Sequence, residues 1–198
     1  MNTQLNRNFN TYFIESRFIS VAVAIVVVLM RFLMFTKRGL DESPINDSNF
    51  VWNSIEPLLQ SFPTLSFAAS TLSIFFVAFL ISEINNRFGI IRMRTSMPFY
   101  IPLIVFSLHP QFLRFTPDFP ALILVLLSVF PLLGTYQTHK TNRPIFQFSA
   151  LLAMASLFQI YAILLIPVWL IALKALSEVN FRSLLASTFG ISVVYWIA

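Results

Sequence analysis

Side chains able to do chemistry are sparse in this chain and fall into two polar stretches. In the first, Arg31 interrupts an apolar run, Lys37 and Arg38 close it, and Asp41, Glu42, Asp47 and Glu56 follow. In the second, His109-Pro110-Gln111-Phe112-Leu113-Arg114 leads into Thr116-Pro117-Asp118. A carboxylate can take a proton from an acceptor hydroxyl, and a guanidinium can grip phosphate oxygens with two parallel N–H donors. Arginines near carboxylates therefore point to general-base work beside a bound phosphate. Cysteine is absent, which excludes thiolate nucleophiles, disulfides and thiolate metal sites.

Each of these residues also has a plainer reading. Arg31 lies six residues before Lys37, close enough to the end of its apolar run to snorkel into the interface. Asp41 and Glu42 read first as a solvated loop pair and second as a catalytic carboxylate. Arg114 and Asp118, four residues apart, would pair with each other on a helix. His109 before Pro110 reads as a helix-end residue, and Gln159 and Tyr161 as the turn of a hairpin. Arg87, Arg92 and Arg94 are a topology signal first and a contact for anionic lipid second.

The elements that must hold these residues are membrane segments. At 57% hydrophobic and 11% charged over 198 residues, with a mean hydropathy of +0.78, the chain is too apolar for an ordinary soluble domain. An isoelectric point near 10.0 invites a nucleic-acid partner, but the basic residues are scattered between apolar segments, so none is expected. No apolar segment carries a GxxxG pair, so helix contacts are expected to use bulky interdigitation and Ser and Ala faces.

Residues 1–16 read as a cytoplasmic N-terminal segment, and Phe18 to Thr36 as a retained first crossing without a cleavage site. Residues 37–63 form an outer loop. Within it Val51, Ile55, Leu58, Leu59 and Phe62 recur every three or four residues, predicting a helix flat in the interface beside Trp52, broken or kinked at Pro57. Leu65 to Ser82 is a second crossing, ending in the charged loop with Glu83, Arg87, Arg92 and Arg94. Met97 to Leu108 is short for a span, and its prolines, with Pro110, Pro117 and Pro120, place it inside the bundle or against a wet outer cavity. Phe119 to Gly134 is the fourth segment. Ile145 to Leu176 is too long for one crossing and splits at Gln159 into a tight hairpin. Ser183 to Ala198 stops within apolar sequence, as a chain cut short would.

The hairpin is supported by charge. It puts Arg7, Arg17, Arg87, Arg92, Arg94, Lys140, Arg143, Lys174 and Arg182 inside, with Lys37, Arg38 and Arg114 outside, nine against three. A single crossing would leave seven against five. The fold expected is all-α: a polytopic transmembrane helical bundle forming one membrane domain over residues 1–198, N-terminus cytoplasmic. It has about seven membrane segments, including short or broken helices and one interfacial helix. His109 and His139 then face opposite sides, so no histidine metal site is expected, and no cofactor.

The order of parts resembles the N-terminal membrane module of the C-type glycosyltransferases, which take sugars from polyprenyl-phosphate carriers. The matching residues are Asp41-Glu42 after the first helix, the Val51 to Phe62 segment, Leu65 to Arg94, His109-Pro110, Pro117-Asp118 and the hairpin of Ser149 to Leu173. Through Ile84-Asn85-Asn86, through Arg92-Met93-Arg94 leading to Met97-Pro98-Phe99, and through Ala153-Met154-Ala155-Ser156-Leu157-Phe158, the chain is also similar to a family of multi-pass inner-membrane proteins of Bacteroidetes. That likeness spans roughly Leu65 to Leu185. No aromatic pair follows Asp41-Glu42, no proline marks the Gln159 turn, and the later helices and soluble domain of the glycosyltransferases are missing.

The resemblance implies a bacterial inner-membrane protein of envelope glycan or lipid-linked sugar metabolism. Asp41 or Glu42 would be the catalytic base and Asp118 would assist. Arg31, Arg114 and His109 would hold the carrier phosphate. Its partners would be membrane lipids and a polyprenyl-phosphate carrier. The rival reading is a non-catalytic membrane subunit that docks a partner protein through Phe-rich helix faces. A transporter is disfavoured because no charged residue falls mid-membrane.

Overall fold

The computed structural model describes residues 17–40, 50–91, 95–135, 142–176 and 181–198. Among the described residues the fold is all-α, with eight α-helices, two 3-10 turns and no strand. The helices are α1 (Arg17–Arg38), α2 (Phe50–Ser61), α3 (Pro63–Phe88), α4 (Met97–Leu108), α5 (Asp118–Leu133), α6 (Asn142–Phe158), α7 (Leu165–Leu176) and α8 (Phe181–Ile197). The 3-10 turns are Pro110–Leu113 and Ile160–Leu164. Two helices, over Ser20–Arg38 and Pro63–Phe88, are long and apolar enough to cross a membrane. The chain divides into two compact units, one built from α1, the last residues of α2 from Leu59, α3, α4 and the first 3-10 turn, the other from α2 up to Leu58 and α5 to α8.

In the first unit α4 packs along α3, and α1 lies along α4. Ser20 Oγ and Tyr100 Oη meet at 3.0 Å near the starts of α1 and α4, while Arg31 reaches Phe112 just past the end of α4, so these two helices run parallel. α3 runs the other way, bringing its first turns to the Arg31 level. α1 buries only a narrow stripe, with Val27 and Arg31 at its centre, and leaves Val21, Ile25, Leu29 and Leu33 more than half exposed. α4 buries Pro98, Pro102, Leu103 and Ser107 and turns Ile101, Ile104, Val105 and Leu108 outward. Its prolines are thus on the packed side; Pro98 stands in the first turn, where a missing N–H is harmless, and Pro102 removes one donor from the helix interior.

α3 starts with Pro63 in its first turn, where a missing N–H is harmless. It runs six residues past Ser82, through Glu83 and Arg87, so the second apolar segment and part of the charged loop form one helix of 26 residues. Gly89 ends it with φ of 62°, a left-handed geometry that glycine adopts without strain, and its N–H reaches Asn85 O at 2.8 Å. Asn85 is itself buried, and its Oδ1 accepts from the Ile91 N–H at 2.9 Å.

α2 corrects the reading of its sequence at two points. The helix continues through Pro57, lacking only the N–H that would have met the Asn53 carbonyl. Its buried positions are Trp52 and Leu59, seven residues apart, whereas Leu58 and Phe62, placed on the apolar face by spacing alone, are more than half exposed.

In the second unit α6 is central, packing most extensively against α5 and α8. Leu132, Ile145, Phe148, Leu152, Ile166 and Leu173 form its core. α6 meets α8 through small residues. Ser149 and Ser187 hydroxyls are 2.7 Å apart, Ser156 Oγ and Tyr195 Oη 2.6 Å, and Gly190 comes so close that a Cβ there would lie 2.9 Å from Phe146 O. Serine and glycine let the two backbones approach without a GxxxG pair. α6 ends at Phe158, Gln159 is extended, and the following 3-10 turn folds back on α6 into α7, which makes the expected hairpin. Trp169 on α7 donates its indole N–H to Ser128 Oγ on α5 at 3.1 Å.

Candidate functional site

The most elaborate polar arrangement in the first unit centres on Arg31, which is 0% exposed. Residues 27, 31 and 35 follow one another at helical spacing on the packed stripe of α1, and Phe35 stacks on Phe67 of α3 with ring centroids 4.6 Å apart. Arg31 therefore points into the unit. Its Nη2 donates to Ser70 Oγ at 2.8 Å and to the Phe112 carbonyl at 2.8 Å, and its Nε donates to Thr71 Oγ1 at 3.2 Å. The guanidinium carbon lies 5.8 Å from the centroid of the Phe67 ring. Snorkelling to water is thus not what Arg31 does, and its partners are two hydroxyls and a carbonyl.

The hydroxyl protons explain why these partners accept. Thr71 Oγ1 donates to Phe67 O at 2.8 Å, one turn back, which leaves its lone pairs for Arg31. Ser70 Oγ donates to the Phe112 carbonyl and so also faces Arg31 with a lone pair. Ser66, Ser70 and Ser73 are all buried and lie on one side of α3, being four and three residues apart. Ser66 Oγ accepts the Phe115 N–H at 3.0 Å.

What this row holds is the corner after α4. His109 is extended and caps the 3-10 turn, its Nδ1 accepting from the Gln111 N–H at 3.4 Å while its ring meets Phe112 edge-on. Arg114 is extended again, and at this corner the Phe112 carbonyl accepts from Arg31 Nη2 and Ser70 Oγ while the Phe115 N–H donates to Ser66 Oγ. The arrangement is a clamp that fixes residues 112–115 to α1 and α3. One part of it is spare: Arg31 Nη1 is buried with no hydrogen-bond partner, leaving two N–H donors.

The other candidate residues fall as follows. Arg114 is half-buried at the end of the clamped corner, and His109 is exposed at its start. Asp118 belongs to the second unit, in the first turn of α5, where the helix dipole favours a carboxylate; its Oδ1 accepts from Gln159 Nε2 at 3.0 Å. The residues between Arg114 and Asp118 are not helical, so the four-residue spacing does not put the two side chains on one helix face. Asp41 and Glu42 lie outside the described residues, as do Arg92 and Arg94. The structure thus brings together Arg31 and the corner that carries Arg114. Ser66, Ser70 and Thr71 are the partners sequence reasoning missed, and the serines' spacing on α3 was the signal available. No family model, curated protein or solved structure matches this chain.

Proposed function

We propose that the chain is a multi-pass integral membrane protein of the bacterial inner membrane, N-terminus inside, with about seven membrane segments. It works in envelope glycan or lipid-linked sugar metabolism as a minimal module similar to the C-type glycosyltransferases. The observation that carries the membrane reading is the outward face of α1. Its large apolar residues stand exposed along the helix while an arginine is buried on the opposite side, the reverse of a helix in water. The shorter helices complete the set as re-entrant or partial segments. In the glycan reading, the Arg31 clamp fixes the corner that carries Arg114 on the outer side, the side to which the charge bias also assigns Asp41 and Glu42. There an arginine holds the carrier phosphate and a carboxylate takes the acceptor proton.

A second reading has its own supporting observation. Arg31 is fully enclosed and three of its N–H bonds are spent on the protein, which suits a scaffold more than a ligand site. The chain would then be a non-catalytic membrane subunit. The test is the lipid-linked glycan profile of cells carrying Asp41→Asn, Glu42→Gln or Arg114→Gln in place of the wild type. Accumulated polyprenyl-phosphate-sugar in any of them supports the enzyme. A wild-type profile from all three, with the protein at normal level in the membrane, favours the subunit.

A further inference from the structure

A groove of about 630 Å³ runs along the second half of α1, between Val26, Leu29 and Leu33 on that helix and Leu108 and Pro110 at the end of α4. Lys37 and Arg38 close it at one end, and both are exposed. The stretch from Val26 to Arg38 rises about 18 Å, close to half of a hydrocarbon core about 30 Å thick. The groove is thus roughly one leaflet deep, apolar along its length, and cationic only where headgroups lie. A second groove on the other flank of α1, lined by Val21, Ile25, Val28 and Phe99, has no charged residue.

On the membrane reading proposed above, we infer that the Lys37 groove holds one anionic phospholipid of the surrounding bilayer, its phosphate against Lys37 and Arg38 and an acyl chain along Leu33 and Leu29. Charge complementarity selects the occupant. A neutral hydrocarbon chain would fit either groove, but only this one offers two cations at headgroup level, and each basic residue near a membrane surface favours an anionic lipid about fivefold. The proposed topology adds a reason. Lys37 and Arg38 are two of the three basic residues assigned to the outer side, where positive charge is otherwise avoided, so they answer to a local partner.

The test uses the full chain in nanodiscs of phosphatidylcholine and phosphatidylglycerol in equal parts. The headgroups of lipid retained after transfer to mild detergent are read by native mass spectrometry. Wild type should keep phosphatidylglycerol in preference to phosphatidylcholine. Lys37→Gln with Arg38→Gln should weaken that preference by about 30-fold. Leu33→Trp, which fills the groove, should lose the lipid, and Ile25→Trp in the uncharged groove should keep it. Circular dichroism checks that each variant folds. Equal retention by wild type and the double glutamine variant overturns the inference, as does a self-associated chain with Leu33 at its contact. Carbonate extraction separates the two levels: release of the protein from membranes defeats the membrane reading, whereas firm retention without lipid preference defeats the groove alone.

Discussion

Ser70→Ala should harm this protein more than Arg31→Met, although the second change removes the larger and charged group. Ser70 Oγ accepts from Arg31 and donates to the Phe112 carbonyl. Its loss leaves a buried guanidinium with one acceptor fewer, in a place where Nη1 is already unpartnered. Stranding a donor at a buried site costs about 1–3 kcal/mol, more when the group is charged, so the expected loss is about 2–3 kcal/mol. Arg31→Met removes the charge and all its donors together. The Phe112 carbonyl keeps Ser70 and Thr71 keeps Phe67 O, while methionine fills most of the volume. Replacing a buried charge by an apolar side chain of similar size is often close to neutral, so the change should stay within about 1 kcal/mol. The double variant relieves the stranded guanidinium but takes both donors from the Phe112 carbonyl, so it should be close to Ser70→Ala alone and below the sum, with a coupling of about 1 kcal/mol. Reversible unfolding of the purified protein in mixed micelles, followed by circular dichroism, measures all three. A silent Ser70→Ala, or additive effects, would refute the clamp. Arg31→Lys adds a functional arm. An unaltered fold with a changed lipid-linked glycan profile gives Arg31 a role in phosphate binding, and unaltered values of both leave it structural.

Gly190→Ala should destabilise by about 1–3 kcal/mol in the same assay, because its Cβ meets the Phe146 backbone and helices cannot separate without weakening the Ser149–Ser187 contact. Helix propensity alone predicts the opposite sign, a gain of about 1 kcal/mol, so a stabilised variant would sink the close-packing argument. Since the chain has no cysteine, single cysteines at Ser43 and Ser96 report topology directly. A membrane-impermeant maleimide applied to intact cells should label the first and not the second, and the reverse would invert the assigned topology. Gln159→Leu should cost less than about 1 kcal/mol in unfolding free energy, because its bond to Asp118 lies in solvent; a larger loss would mean the hairpin turn depends on it.

The helix ends were legible where a strong local signal stood: Pro63 before α3, Met97 and His109 around α4, and Gln159 at the hairpin. Hydropathy misplaced the end of α3 because backbone hydrogen bonding does not stop at the first charged side chain. Glu83 and Arg87 ride on the same helix until glycine breaks it. The face of α2 was misread for a related reason. A three-and-four periodicity marks an apolar arc about 100° wide, and packing chose the Trp52–Leu59 edge of it.

Arg31 shows most sharply where a one-dimensional reading stops. An arginine inside an apolar run announces that something polar must face it, and the expected partner was a carboxylate or a phosphate. The described residues answer with serine and threonine hydroxyls and one main-chain carbonyl, distributed over positions 70, 71 and 112. Hydroxyls on an apolar helix carry almost no signal in hydropathy. They nevertheless redirect a charge, since a back-bonded threonine or serine has committed its proton and can only accept. The carbonyl accepts from Arg31 and Ser70 at the corner where the 3-10 turn begun by Pro110 gives way to the extended Arg114. An arginine needed to close that corner is then tied to the backbone of the segment that carries Arg114. Any role for Arg114 in holding a phosphate would pass through the geometry Arg31 imposes, which is why substitutions at Ser66 and Ser70, far from any charged residue in sequence, bear on the proposed function.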